Sequence, residues 1–444
     1  MNRQPLKRII FIIAVSLLLT PFAAHPASVL SLDQAIRIAL SDSTIINEAL
    51  SKYNAALEEK KSAFADFLPK VSGSYSYSRF EDQPYSMFGN TMIPLSSRDY
   101  YQWNFTVVQP IFTGYALYTK HQMAKLVIDL KEVEKGLAIL DVTKSVKTAY
   151  FNILVAEKFL RVAEETVENL GAHVRDAEKF YKHGFIPYND LLQSQVALAN
   201  AVQHREKANS NLEMAVSALN MHLRMDMNRP TRVADVAEVF PSAYRLERLV
   251  ATALQNRPEL KALHIALQNA DQAIRLAKSS YYPEVALIGR YERMGDNAVA
   301  SNNDYGNDHN ASVTLQAKWR FFEWGKTGTE VKKYLYEKTA VQEQLKRAED
   351  GISLEVKNAF LNREVAKKNI KTAEASLGQA KENFRLTNLQ YREQMATTSD
   401  VLDARTILSQ AQTNYYSALY GYLISEAELE RVVGGDISAG IAAR

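Results

Sequence analysis

The chain has 444 residues, enough for two or three ordinary domains, and 47% are hydrophobic, so disorder is not its default state. Arg3, Lys7 and Arg8 precede a short apolar run; without them 50 basic residues face 50 acidic ones, which excludes a nucleic-acid partner held by bulk charge. There is no cysteine, which excludes disulfide staples, thiolate metal sites, cysteine nucleophiles and lipid attachment through an amino-terminal cysteine.

Residues 1–27 read as a secretory signal: a basic start, an apolar stretch over 9–19, and small residues at Ala23, Ala24 and Ala27. Cleavage is expected after Ala24 or Ala27. No later stretch offers about 18 consecutive apolar residues, so no transmembrane helix is expected.

Residues 28–227 form a first repeat. Ser31 caps a helix that opens Leu32-Asp33-Gln34-Ala35-Ile36. A second helix over 44–67 stops before Pro69, because proline bars the helical conformation from the residue before it. The period then changes to two. Val71, Gly73, Tyr75 and Tyr77 alternate with serines, and after a polar loop over 81–99, Tyr101, Trp103, Phe105 and Val107 alternate with Gln102, Asn104 and Thr106. Strands are expected over 71–80 and 100–111. From Gly114 the pattern is helical and free of proline to Tyr181. Leu126, Leu130, Val133, Leu137 and Leu140 mark a heptad seam that Lys144 and Lys147 break. At about 1.5 Å per residue this helix would reach roughly 100 Å. Gly184 and Pro187 turn the chain at a tip over 183–188, and a return helix over 188–227 ends at Asn228-Arg229-Pro230. A linker over 228–245 follows.

Residues 246–433 repeat this plan. Leu254, Pro283 and Tyr291 match Leu40, Pro69 and Tyr77 at an offset of 214. The offset falls to 211 where Gly114 meets Gly325, and to 210 where Val146-Lys147-Thr148-Ala149-Tyr150 meets Val356-Lys357-Asn358-Ala359-Phe360. Loop changes with retained helix spacing are the mark of a tandem duplication. Strands are expected over 285–293 and 312–321, the second carrying Val313, Leu315, Ala317, Trp319 and Phe321 on one face. Helices follow over 326–390 and 400–433 around a second tip at 393–399, then a tail over 434–444.

Strands of about 9–11 residues suit a tilted crossing of a bilayer. Tyr75, Tyr77, Trp103, Tyr291, Trp319 and Trp324 lie in or beside them and are candidate membrane-interface aromatics. A sheet edge cannot face lipid, so four strands must close with copies of the chain: eight in a dimer, twelve in a trimer. The serine, threonine, asparagine and glutamine face suits the wider, wet pore of twelve. The competing reading is a soluble scaffold of coiled coils with a sheet buried on one face.

This order of elements resembles the TolC family of outer-membrane efflux proteins across essentially all of the chain after residue 27. The resemblance is carried by Leu32-Asp33-Gln34-Ala35-Ile36-Arg37-Ile38-Ala39-Leu40, Asn256-Arg257-Pro258-Glu259-Leu260, Phe321-Phe322-Glu323-Trp324-Gly325 and Asp400-Val401-Leu402-Asp403-Ala404-Arg405. It implies a mainly α fold of duplicated helical hairpins in a periplasmic α-barrel, with four β-strands per chain in a trimeric twelve-stranded outer-membrane barrel. It also implies a homotrimer in outer-membrane lipid, docked to a periplasmic adaptor and an inner-membrane pump or ABC transporter. The function implied is the exit duct of a tripartite efflux system for small molecules, with a type I protein secretion conduit as the alternative. Two positions depart from the family. Its tips carry a glycine in each half, whereas Gln394 stands opposite Gly184, and an arginine that latches some closed tips would fall at Ala396.

By the same resemblance Asp400 and Asp403 are candidates for carboxylate rings that narrow the periplasmic entrance. They sit three apart at a helix start, hence on one face, and six carboxylates near an axis would favour cations. The competing reading is an ordinary cap and dipole partner, which is also the expectation for Asp190. Gly184, Phe185, Gln394 and Met395 are candidate adaptor contacts. Gly325-Lys326-Thr327 lacks the glycine a phosphate-binding loop needs at position 320, which is Arg320. No His-Glu-x-x-His or Gly-x-Ser-x-Gly pattern occurs, so neither catalysis, metal nor cofactor is expected.

Overall fold

The computed structural model describes residues 29–236, 243–435 and 437. The signal expected over 1–27, part of the linker and most of the tail lie outside them. The elements are α1 (Leu32–Asp42), α2 (Thr44–Ala65), β1 (Lys70–Arg79), β2 (Tyr85–Phe88), β3 (Thr91–Pro94), β4 (Asp99–Thr113), α3 (Ala116–Lys182), α4 (Tyr188–His222), α5 (Leu246–Asn256), α6 (Pro258–Ser279), β5 (Glu284–Gly295), β6 (His309–Lys318), α7 (Lys326–Arg392) and α8 (Thr398–Val433). The long helices α3 and α7 have 67 residues each. Ser31 and Gln34 form a capping box at α1: the Gln34 amide N–H donates to Ser31 Oγ at 3.3 Å, and the Ser31 N–H to Gln34 Oε1 at 3.0 Å. No described helix is long and apolar enough to cross a membrane.

The chain divides into two compact units. One comprises the described parts of 1–41, 146–240 and 372–420; the other those of 42–145, 241–371 and 421–444.

The second unit holds an antiparallel sheet in the order β1-β4-β5-β6. Val71 lies opposite Val107, Tyr75 opposite Trp103, Phe105 opposite Tyr291, and Leu287 opposite Leu315. Because side chains alternate, one face collects these apolar and aromatic groups, and the other collects Ser72, Ser74, Ser76, Asn104, Thr106, Thr314 and Gln316. Pro110 lies inside the central strand β4, at a register shift between Pro110 and Phe112; a bulge accommodates a residue with no N–H to give the ladder.

Three features differ from the sequence reading. The return helix expected over 188–227 ends at His222, just before Arg224 takes φ +58°. The loop expected over 81–99 contains the β2–β3 hairpin, and every residue of β2 and β3 is exposed. The strand expected over 312–321 runs His309–Lys318, so Trp319 and Phe321 lie beyond it. Glu284 is the last partner of β6, opposite Lys318, and Pro283 before it has no N–H with which to continue the ladder.

The duplication extends to side-chain contacts. Gln109 donates to the Phe67 carbonyl at 2.9 Å, and its counterpart Trp319 donates through Nε1 to the Tyr281 carbonyl at 3.1 Å. Gly114 has φ +60°, and a Cβ there would stand 2.4 Å from the Ser279 carbonyl oxygen, so the end of α6 reaches the start of α3 only because this residue is glycine.

Leu249, Ala253, Leu260, Ile352, Val356, Leu429 and Val432 form the apolar core of this unit. Beside it Arg257 meets Glu259 through Nε and Nη2, and Glu355 and the Val432 carbonyl through Nη1. Arg363 is fully buried: Nε donates to Glu426 and Nη2 to the Tyr422 hydroxyl, each at 2.8 Å, and Nη1 meets Glu364. An arginine enters a core only when its donors are met in this way.

In the first unit Leu30 and Val233 form a parallel bridge, and the Tyr150 hydroxyl lies 2.9 Å from the Leu30 carbonyl and 2.7 Å from that of Ala234. Burial pushes this phenol up to about 12. Asp235 accepts from Lys158 and from the Tyr420 hydroxyl.

Candidate functional site

Both turns between long helices lie in the first unit, and both are built alike. At the first, Gly184 has φ +74°; its N–H donates to the Tyr181 carbonyl at 2.9 Å, and the Phe185 N–H to that of Phe180 at 2.9 Å. At the second, Gln394 has φ +61°; its N–H donates to the Tyr391 carbonyl at 3.0 Å, and the Met395 N–H to that of Gln390 at 2.7 Å. This pair of bonds is the Schellman end of a helix, which needs one left-handed residue. Gln394 takes that conformation despite its Cβ, so the missing family glycine leaves the turn's shape unchanged. Gly184, Phe185, Gln394 and Met395 are all exposed, Met395 at 77%.

The next helices start differently. Pro187 caps α4 without a side-chain bond, and Asp190 stands in its first turn. Thr397 caps α8 through a closed box: the Asp400 N–H donates to Thr397 Oγ1 at 3.2 Å, and Asp400 Oδ2 accepts from the Thr397 N–H at 2.8 Å and from its hydroxyl at 2.7 Å. These bonds, the side-chain one first, hold the Asp400 carboxyl below the usual carboxylate range. Asp403 lies one turn along α8 and is exposed, as is Asp400.

Behind the tips, aromatic rings join α3 to α7. His173 lies 4.6 Å from the Tyr391 ring and Phe180 5.4 Å from it, measured between centroids. Tyr391 is 2% exposed and His173 4%, and neither ring nitrogen of His173 has a hydrogen-bond partner. Burial lowers the His173 pKa. At the surface Arg392 Nε stands 3.6 Å from Asp176; Ala396 is half-buried.

Further along, α3, α4 and α8 line a groove of about 780 Å³, with Ala156, Ala163, Ala197, Ala201 and Leu402 among its walls. Arg405 enters it at 3% exposure. Its Nη2 donates to Thr166 Oγ1 at 2.7 Å, its guanidinium lies 5.5 Å from the Phe384 ring, and its Nε has no partner. Burial lowers its pKa, opposed by the Glu165 carboxylate. Sequence reasoning missed Arg405, His173 and the Thr397 cap. Only the cap left a readable signal, Thr397 three residues before an acidic side chain at a helix start.

The membrane-interface candidates all lie in the second unit. Tyr75 and Tyr77 are in β1, Trp103 in β4 and Tyr291 in β5; Trp319 follows β6, and Trp324, 90% exposed with φ +52°, precedes α7. Among the described residues no three His, Asp or Glu side chains stand together as metal ligands would.

The chain matches the family described as "Outer membrane efflux protein" over residues 35–223 and 249–435, one stretch in each half. It is 24% identical over 320 residues to outer membrane protein TolC of Vibrio cholerae serotype O1, covering 69% of this chain and 71% of that one. It is 23% identical over 321 residues to TolC of Escherichia coli K12, covering 68% and 64%. Among solved structures, the Campylobacter jejuni CmeC outer membrane channel superposes with a TM-score of 0.78 at 17% identity, over 91% of this chain and 85% of that one. VceC of Vibrio cholerae gives 0.74 at 16% identity, over 92% and 97%.

Proposed function

Because the chain belongs to the outer membrane efflux protein family, we propose that three copies close a twelve-stranded barrel through which small molecules leave the cell. Members of this family are outer-membrane channels that extend into the periplasm and serve as exit ducts of efflux systems, and so is this chain. The observation that supports three copies is the four-stranded sheet with open edges at β1 and β6 and one apolar and one polar face. Lipid holds no water to satisfy those edges, and twelve strands leave a pore for the polar face to line.

In this reading residues 1–27 are a secretory leader, and Tyr75, Tyr77, Trp103, Tyr291, Trp319 and Trp324 sit at the membrane–water boundaries. Gly184, Phe185, Gln394 and Met395 contact a periplasmic adaptor, and an inner-membrane pump supplies the energy, since this chain carries no energy-coupling motif. The protein is a passive duct and not an enzyme. Asp403 lines the periplasmic entrance as a ring of carboxylates, and Asp400 shapes the same entrance while tied to Thr397.

Native mass measurement and conductance in planar bilayers test this reading. A conducting three-chain species is expected, and a soluble monomer that conducts nothing overturns it. Deletion should sensitise cells to small toxic compounds; loss of a secreted protein instead would favour the type I conduit.

A further inference from the structure

Among the described residues three arginines are buried: Arg257, Arg363 and Arg405. A buried guanidinium is costly unless an anion meets it. The first two are met in the same way: Arg257 Nε donates to Glu259 at 2.9 Å, and Arg363 Nε to Glu426 at 2.8 Å. Arg405 differs. It is 3% exposed, yet its Nε has no partner. Glu165 on α3 attracts it without bonding it, and that carboxylate accepts from Gln412 Nε2 at 2.9 Å instead. Arg405 Nη2 donates to the Thr166 hydroxyl at 2.7 Å. That hydroxyl also donates to the Val162 carbonyl at 2.7 Å and lies 3.1 Å from Ser409 Oγ, so it keeps partners when the guanidinium turns away.

Arg405 lines the groove between α3, α4 and α8. The groove follows α3 from Asn152 to Leu170, roughly 27 Å of helix, and Arg405 bonds that helix at Thr166, one turn from Leu170. Small apolar side chains run along the remainder. Ala156 and Ala163 recur on one face of α3, with Phe159 between them, and Ala201 and Ala208 recur on one face of α4. They keep open a slot of about 780 Å³, a size that suits a small organic molecule. His204 and Lys207 also line it and are exposed, whereas no acidic side chain lines it among the described residues.

We propose that this groove binds a single-chain amphiphile bearing a carboxylate. The guanidinium turns on its flexible stem from Thr166 toward the groove, and the carboxylate accepts from Nε as Glu259 and Glu426 do at the other two arginines. The apolar body lies along the alanines. A carboxylate is the group the chain itself sets against its other buried arginines, and its single charge matches a single guanidinium. Lys207 at the rim adds its attraction for an entering anion. An uncharged amphiphile would cover the same walls and leave Nε unmatched. The walls all belong to one chain, so the site goes beyond the duct of the preceding section and does not depend on it.

Decanoate carrying a photoreactive diazirine in its chain tests the site on the full chain in phosphatidylcholine nanodiscs, with labelled peptides mapped by mass spectrometry. Saturable labelling is expected at 152–170 and 197–215, competed by plain decanoate and far less by decanol. Arg405→Met should raise the half-labelling concentration by about tenfold or more. Ala163→Leu should abolish labelling by filling the slot, and thermal unfolding checks that both variants are folded. The comparison of decanoate with decanol on the parent chain needs no variant. Labelling only at the strands, equal competition by decanol, or an unchanged half-labelling concentration in folded Arg405→Met overturns the site. Labelling of dissociated chains alone would show that another copy covers the groove, and overturns it as well. Bilayer conductance keeps the two readings apart: a conducting protein without this labelling loses the site and keeps the duct.

Discussion

His173 on α3 and Tyr391 on α7 meet with ring centroids 4.6 Å apart and planes tilted by 50°, and both are almost fully buried. The imidazole nitrogens have no partner, so this contact tolerates only the neutral ring. Burial lowers the folded-state pKa below the ordinary value of 6.5, against the pull of Asp176. The stabilising contribution of the neutral ring is therefore whole above pH 6.5 and is lost as pH falls through the folded value. Hydrogen-exchange protection, taken relative to the intrinsic rate at each pH, should fall at 170–180 and 388–398 from pH 7.5 to pH 5. His173→Phe should remove most of that fall and change stability at pH 8 by no more than about 1.5 kcal/mol.

Gln394 holds a conformation that glycine adopts without strain. Gln394→Gly should stabilise the second tip by about 1 kcal/mol, and Gly184→Gln should weaken the first by a similar amount. Protease resistance at the two turns reads both. A Gln394→Gly protein cut faster than the parent would contradict the strain.

Asp400 and Asp403 should separate in bilayer recordings. Asp403→Ala should raise single-channel conductance and weaken block by trivalent cations, because an exposed carboxylate acts directly on passing ions. Asp400→Asn should act on the tip itself, since it breaks the box with Thr397. The Thr397→Ala change should mimic it, at a cost of about 1 kcal/mol for the lost cap. Equal conductance changes for Asp403→Ala and Thr397→Ala would assign both aspartates to capping.

Arg405 is desolvated, with one nitrogen unmatched. Replacement by a flexible apolar side chain of similar length removes that cost. Arg405→Met should leave thermal stability unchanged or raise it by about 1–4 kcal/mol. Arg405→Ala should lower it by about 2 kcal/mol or more by enlarging the groove. Calorimetry of both variants gives the comparison.

The features legible in the sequence are those with a local cause. Pro69 and Pro283 end the turns after α2 and α6, alternation marks β1 and β4, and Gly184 and Pro187 place the first tip. The duplication is legible because it preserves spacing even where residue identities change. What escaped depends on partners far along the chain. Nothing local marks Arg363 or Arg405 for burial, and only the fold brings Glu426, Tyr422 and Thr166 to them. The β2–β3 hairpin escaped because Met87, Phe88, Met92 and Ile93 put apolar groups on both of its faces, leaving no alternation to see. Trp319 was read as a strand residue because alternation reports which face a side chain prefers and says nothing of whether a neighbour supplies the ladder.

The open edges of β1 and β6 bear on how the protein is made. A single copy carries two rows of unmatched backbone groups that the bilayer cannot solvate and that invite pairing with any exposed strand. In the proposed three-copy barrel, insertion and assembly are tied into one event: a lone chain has no resting place in the membrane, and the last copy to arrive completes the wall and makes it habitable for the others. If three copies and the complete duct of that proposed barrel are at equilibrium, the number of ducts follows the third power of the free chain concentration, and a shortage of chains yields few complete ducts rather than many partial ones.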